Sequence, residues 1–233
     1  KNSVPFQTGV RAILPVYMSA LHLLVRDDID MWTNEQPLKG KEIHVTDGSV
    51  TGQRFVELVA SRMGLDSSDY TLATEITPGQ TDMLIHFGPV NTDNQRWFVE
   101  GYHLESLGLR GKDSALDPAA IGYLIPQLKP FAIPAGTYDL PGADKTIGTV
   151  AVTTLLATRK SMSENAIYEL TKVLLEEKPR FVKLAPALFS GVTDSFDPLD
   201  LNFPLHKGTR RYLNRDEPSN IERYAETINL IVY

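Results

Sequence analysis

The chain contains no cysteine among its 233 residues. Disulfides, thiol nucleophiles and zinc sites built from thiolates are therefore excluded. This absence is compatible with an oxidising extracytoplasmic space and with the cytosol. Basic residues are also in the minority, with 23 Lys and Arg against 29 Asp and Glu, and the net charge is −6. Because a nucleic-acid-binding surface needs clustered Lys and Arg, nucleic acid is not an expected partner.

Long hydrophobic runs are missing as well. The longest candidate, residues 10–25, contains Arg11, Pro15 and His22, and it is too short and interrupted to span a bilayer. The first residues carry no apolar segment of the kind found in a signal peptide. The last residues, 228–233, are largely hydrophobic, which fits either an apolar segment that continues beyond them or a terminal amphipathic helix packed on the core.

The sequence also lacks the common catalytic and cofactor motifs. There is no G-x-G-x-x-G, no Walker sequence and no G-x-S-x-G, and the five histidines form no H-x-x-x-H pair. His44, His86 and His103 fall on three expected strands and could converge on a metal, although strand histidines more often satisfy a local hydrogen bond. We therefore predict no catalytic residue, no metal, no cofactor and no enzyme activity.

The most informative stretch is Lys39 to Leu65. Ile43 and Val45 alternate with polar neighbours as in a half-buried strand, and the following apolar residues repeat at helical spacing up to Gly64. The turn between them contains two hydroxyls, and the first helical turn has no carboxylate to complement the helix dipole. Such a turn is a site for an anion. The alternative is an ordinary strand-to-helix turn capped by Thr51.

The rest of the chain alternates expected strands and helices, which predicts an α/β fold with a largely parallel sheet. Extended runs are expected at 10–16, 20–25, 83–87, 104–107 and 149–158. An irregular apolar segment is expected at 131–138. Helices are expected after Asp117, after Ser163 and at a capping box of Ser219 and Glu222. The runs 20–25 and 149–158 bracket a middle region. This bracketing predicts one lobe at 26–150 and a second lobe formed by 1–25 with 151–233.

Six segments that span most of the chain are residues 21–28, 38–65, 81–90, 131–138, 149–177 and 202–226. In this order, they resemble the extracytoplasmic solute-binding subunits of TRAP transporters of the TAXI type. The tail resembles the membrane-anchored branch of that family through Pro204, Leu205, His206, Gly208 and Tyr212, followed by Arg215, Glu217, Pro218 and Ser219.

The resemblance implies a fold like the type 2 periplasmic binding proteins, with two lobes joined by hinge strands at 20–25 and 149–158. It also implies that Gly48, Ser49 and Thr51 form the ligand loop of the second lobe, with Gly88 on an adjacent strand end. Ligands of α/β sheets lie beyond the carboxyl ends of the strands, which agrees with this placement.

The chain departs from the family pattern at three points. Val50 replaces the second glycine of the usual loop, and Asp47 would repel an anion unless it pairs with an amine or with Arg54. The strand and helix units that begin the first lobe in the family, with their own ligand loop, are missing from these 233 residues.

These observations favour a solute-binding subunit outside the cytoplasmic membrane, in the periplasm or on the outer face. It would capture a small carboxylate-bearing solute, an amino acid or an organic acid, between its lobes and deliver it to a TRAP permease. The candidate ligand-binding residues are Tyr17, Asp47, Gly48, Ser49, Thr51, Gly88 and Tyr138. The alternative is a ligand-sensing or scaffold module with the same fold and no transport role.

Overall fold

The computed structural model describes residues 8–33, 35–91, 98–108, 116–198, 201 and 203–216, without the side chain of Asp47. Strands and helices alternate along much of these ranges. The strands are β1 Val10–Arg26, β2 Glu42–Val45, β3 Thr71–Ala73, β4 Met83–Pro89, β5 Tyr102–Glu105, β6 Leu128–Ile133 and β7 Ile147–Arg159. The helices are α1 Val50–Arg62, α2 Pro118–Leu124, α3 Glu164–Glu176, α4 Lys178–Leu184, α5 Pro186–Phe189 and α6 Lys207–Leu213.

The seven strands form one open sheet in the order β3-β2-β4-β1-β7-β6, and β5 also pairs with β1. The α/β class is confirmed. The expectation of a largely parallel sheet is wrong, because β2 is parallel to β3 and β4, whereas β1 is antiparallel to β4 and β5, and β6 is antiparallel to β7. The connection from β6 to β7, residues 134–146, reverses the chain through turns and contains no helix.

Two segments differ from their expected secondary structure. The extended runs at 10–16 and 20–25 belong to the single 17-residue strand β1, which continues through Pro15. The segment expected to be irregular at 131–138 begins inside β6, where Phe131 lies opposite Thr149 in the ladder with β7. Hydrogen bonding to a neighbouring strand, which local sequence does not encode, explains both differences.

The chain divides into two compact units. One unit is Tyr17–Thr154, and the other combines Lys1–Val16 with Leu155–Tyr233. The strands β1 and β7 each contribute residues to both units. Whether these units act as the two lobes of a binding protein stays a prediction, as do the expected boundaries at 1–25, 26–150 and 151–233.

The larger unit has its core on the sheet and α1. Ile43 and Val45 of β2, with Met83 and Ile85 of β4, pack in one buried cluster with the apolar side of α1. That side consists of Phe55, Val56, Val59 and Ala60. A second cluster contains Leu84, Tyr102, Leu104 and Tyr138. Burial on both sides of β4 fixes its register and therefore the position of its carboxyl end.

The smaller unit is built on α3. Ser163 caps this helix as expected, and Ile167 and Leu174 are buried. Leu170 of the same helix is 39% exposed, whereas Thr171 is buried, and its hydroxyl meets Thr209 Oγ1 of α6 at 3.1 Å.

The end of the chain contains further short helices. Lys178 and Pro179 start α4, because proline suits a first helical turn. The expected terminal helix with Ser219 and Glu222 lies outside the described residues. Among the helices of the described ranges, none combines the length and hydrophobicity needed to cross a bilayer.

A candidate ligand-binding turn between β2 and α1

The turn from β2 to α1 has the expected order of strand, turn and helix. Val45 ends β2, a single 3-10 turn covers Thr46–Gly48, and α1 starts at Val50. Gly48 has a φ of +58°, in the left-handed region that favours glycine. The helix is capped by Ser49, whose Oγ accepts the Gly52 amide at 3.3 Å. The alternative cap, Thr51, is wrong, because Thr51 lies inside the helix and is exposed.

Two backbone amides of this turn have no internal acceptor. The Ser49 amide donates to Thr46 O at 3.3 Å, and the Gln53 amide donates to Ser49 O at 2.9 Å. No acceptor among the described atoms takes the amides of Val50 and Thr51. Both residues are exposed, and Val50 is 62% exposed. These N–H groups can therefore bind an external acceptor.

The electrostatics of the turn favour a negatively charged acceptor. The 13-residue helix α1 has no acidic residue in its first turn. The partial positive charge of the helix dipole at this end is therefore not neutralised by the helix itself. The side chain of Asp47, a candidate binding residue from the sequence, lies outside the described part of the chain.

The turn lies at the carboxyl end of β2. Val45, the last residue of β2, is opposite Ile85 of the parallel strand β4, and β4 continues to Pro89 beside β1. Gly52 brings α1 close to this end of β2, because a Cβ there would come within 2.5 Å of Val45 Cγ1. Gly88 lies on β4 just beyond this pair, is buried, and is opposite Ala20 of β1.

The remaining candidate residues have different surroundings. Tyr138 is 4% exposed, and its hydroxyl lies 2.7 Å from His22 Nε2. Its ring makes an edge contact with Phe98 at 5.1 Å between centroids. Tyr17 is half-buried on β1. The structure thus joins Gly48, Ser49 and Thr51 in one turn, whereas a common pocket with Gly88, Tyr17 and Tyr138 stays a prediction.

Two buried histidines next to the turn were not expected as part of it. His86 Nδ1 lies 2.7 Å from Thr46 Oγ1, and the His86 ring is 5.7 Å from the ring of His22. Burial, and after it the neighbouring His86, lower the pKa of His22 from 6.5 to about 4. His22 is therefore neutral near pH 7. The only sequence signal was a histidine within each of two apolar strands.

The histidines first considered for a metal have local partners instead. His44 Nδ1 lies 3.1 Å from Ala73 O, and His103 lies between Asp27 and Glu105, each at 3.3 Å. With His86 bound to Thr46, the three do not converge. The described residues contain no group of three or more His, Cys, Asp and Glu side chains suited to a metal ion.

Comparison with protein families gives one match. The chain is similar to the NMT1-like family. The match covers residues 113–215, which is less than half of the chain. No curated protein matches the sequence.

Solved structures of solute-binding proteins are similar in fold. Substrate-binding domain 2 of GlnP from Lactococcus lactis, in an open conformation, has 11% identity and a TM-score of 0.38 over 81% of this chain and 66% of its own. An ancestral arginine-binding protein bound to arginine has 18% identity and a TM-score of 0.37, with 76% and 60% covered. The amino acid ABC transporter substrate-binding protein AbpA from Streptococcus pneumoniae, bound to L-arginine, has 14% identity and a TM-score of 0.35, with 79% and 63% covered.

These likenesses are remote. The chain spans 60 to 66% of the length of the three solved structures. Their TM-scores are all below 0.5.

Proposed function

We propose that this protein is an extracytoplasmic solute-binding protein that holds the carboxylate of a small solute at the turn between β2 and α1. The observation that carries this proposal is the pair of amides of the exposed residues Val50 and Thr51, for which no acceptor exists among the described atoms. A carboxylate accepts several N–H groups at once and is attracted by the open end of the helix dipole.

The chemistry of the turn supports a carboxylate more than a neutral or cationic ligand. Hydrogen bonds to a charged acceptor contribute about 1.5–3 kcal/mol each, against about 1 kcal/mol for neutral pairs. A cation at this position would instead face the positive ends of the amide dipoles. The solute class that fits is an amino acid or a small organic acid, and the proposal assigns no chemical reaction to the protein.

The transport role is the more specific part of the proposal. Delivery of the solute to a TRAP-type permease is supported by the ordered resemblance to TAXI-type subunits, and a solute-binding role is compatible with the NMT1-like match. Anchoring to the membrane and a periplasmic or outer-face location are proposed on the same resemblance. Sensing without transport would use the same binding site and would differ in its partner.

A thermal-shift screen of the full chain tests the binding function. The panel contains the common amino acids, dicarboxylates and tricarboxylates, with amides of the same skeletons as matched controls in which the carboxylate is replaced by a neutral group. A solute at a hundred times its Kd should raise the free energy of unfolding by about 2.7 kcal/mol. The proposal predicts that at least one acid raises the melting temperature and that its amide does not. Equal shifts for the acid and its amide would contradict a carboxylate site.

A further inference from the structure

The candidate turn is attached to the sheet by a buried hydrogen bond. Thr46 begins the turn and is 4% exposed, and His86 of β4 is 5% exposed. Their side chains are 2.7 Å apart at Thr46 Oγ1 and His86 Nδ1, and the Thr46 hydroxyl is also 3.4 Å from Ile85 O. Both partners of Thr46 belong to β4, so its side chain fixes the start of the turn to that strand.

The backbone of Thr46 in turn determines where the open amides lie. Thr46 O accepts the Ser49 amide, and Ser49 caps α1 through the Gly52 amide. Val50 and Thr51 follow directly after Ser49. A fixed Thr46 therefore fixes the direction in which the amides of Val50 and Thr51 point.

His86 lies beside a second buried ring that is held on both sides. The His22 ring is 5.7 Å from the His86 ring. His22 Nε2 lies 2.7 Å from the Tyr138 hydroxyl, and His22 Nδ1 lies 3.1 Å from Ala20 O. Packing against a ring of fixed orientation limits the rotamers of His86.

We propose that His86 is a positioning residue of the anion-binding turn, which it orients through Thr46 without touching the solute. This inference rests on the proposed function. Amides held in the binding geometry before the solute arrives avoid the ordering cost of binding. Loss of the link between His86 and Thr46 should therefore weaken carboxylate binding while the fold is retained.

Two isosteric threonine variants separate positioning from general destabilisation. Thr46→Val removes the hydroxyl that meets His86 and keeps the shape of the side chain. Thr149→Val is the matched control, because Thr149 is 2% exposed and its hydroxyl donates to Leu21 O at 2.7 Å within the same unit. Each variant leaves one buried polar group without its partner, so both should lower stability to a similar extent.

The measurement is an NMR titration of the ¹⁵N-labelled full chain with sodium acetate as the carboxylate probe. T46V should change the ligand-free amide signals of residues 48–51 and weaken acetate binding there about five- to tenfold, the loss expected for one hydrogen bond. T149V should leave those signals and the acetate affinity unchanged. H86L should weaken acetate binding to the same extent as T46V. H86N should keep most of the wild-type affinity, because its amide lies near the Nδ1 position. The double variant T46V with H86L should bind acetate no more weakly than either single variant.

The outcomes distinguish this inference from the function on which it rests. Acetate binding at the turn of the wild type, with equal affinity in T46V, would overturn the positioning role and leave the binding function intact. Equal losses in T46V and T149V would also overturn the positioning role, because general destabilisation would explain them. If acetate does not bind at the wild-type turn, the proposed function fails and the positioning role fails with it.

Discussion

Replacing Val50 by proline should weaken carboxylate binding without disrupting α1. Val50 is the first residue of the helix, its side chain lies in solvent, and no described acceptor takes its amide. Proline fits this helical position and removes only an N–H group that the fold does not use. Ser49 before it has a ψ of 116°, the extended conformation that proline requires of its predecessor.

The size of the effect follows from the hydrogen bond that is lost. A hydrogen bond to a charged acceptor contributes about 1.5–3 kcal/mol, and solvent exposure of the turn favours the lower limit. A loss of about 1.5 kcal/mol corresponds to a roughly tenfold rise in Kd. The stability of the free protein should hardly change, because no internal hydrogen bond is removed.

Isothermal titration calorimetry with the best acid from the screen measures this change. Glu164→Pro is the control for proline at a first helical position, because Glu164 is the first residue of α3, follows a serine cap with a ψ of 130°, and lies in the other unit. It also removes an exposed ion pair between Glu164 Oε1 and Arg211 Nη1 at 3.0 Å, which contributes about 0–1 kcal/mol to stability. V50P should bind about tenfold more weakly than E164P, with equal helical circular dichroism. Wild-type affinity in a folded V50P variant would refute the reasoning, since the amide would then play no part in binding.

Two further predictions concern stability. The pKa of His22 is about 4 in the folded protein against 6.5 ordinarily, so the unfolded chain binds a proton first as the pH falls. The free energy of unfolding, measured by urea denaturation, should fall by on the order of 3 kcal/mol between pH 6.5 and pH 4 and then level off. His22→Asn should remove this part of the pH dependence. A flat profile in the wild type would contradict a buried neutral imidazole. Gly52→Ala places a Cβ 2.5 Å from Val45 Cγ1 and should lower the free energy of unfolding by about 1–3 kcal/mol in the same assay. Gly9→Ala is the control, because a Cβ there meets nothing within 4 Å, and it should lower stability far less. Equal losses would argue against close packing of α1 on β2.

Local sequence signals predicted the turn well. The alternation at Ile43 and Val45, the helical spacing after Phe55 and the terminal Gly64 each reflect short-range rules, and the structure follows them. The missing acid in the first turn of α1 was also visible in the sequence, and it is the electrostatic basis of the candidate site. Only the identity of the cap differed, because two hydroxyls within three residues compete for that role.

Long-range pairing could not be read in the same way. The direction of β1 against β4 depends on how the chain returns to the sheet, and no local pattern encodes it. The same holds for His86, which meets Thr46 across forty positions of sequence. A histidine within an apolar strand indicates a buried imidazole, but its partner is decided only by the register of the sheet.

The most direct test of the central claim is a crystal structure of the full chain with the acid that the screen identifies. We expect a carboxylate oxygen within hydrogen-bonding distance, about 2.7–3.2 Å, of the backbone nitrogens of Val50 and Thr51. A solute carboxylate bound elsewhere, with these two amides facing only solvent, would contradict it.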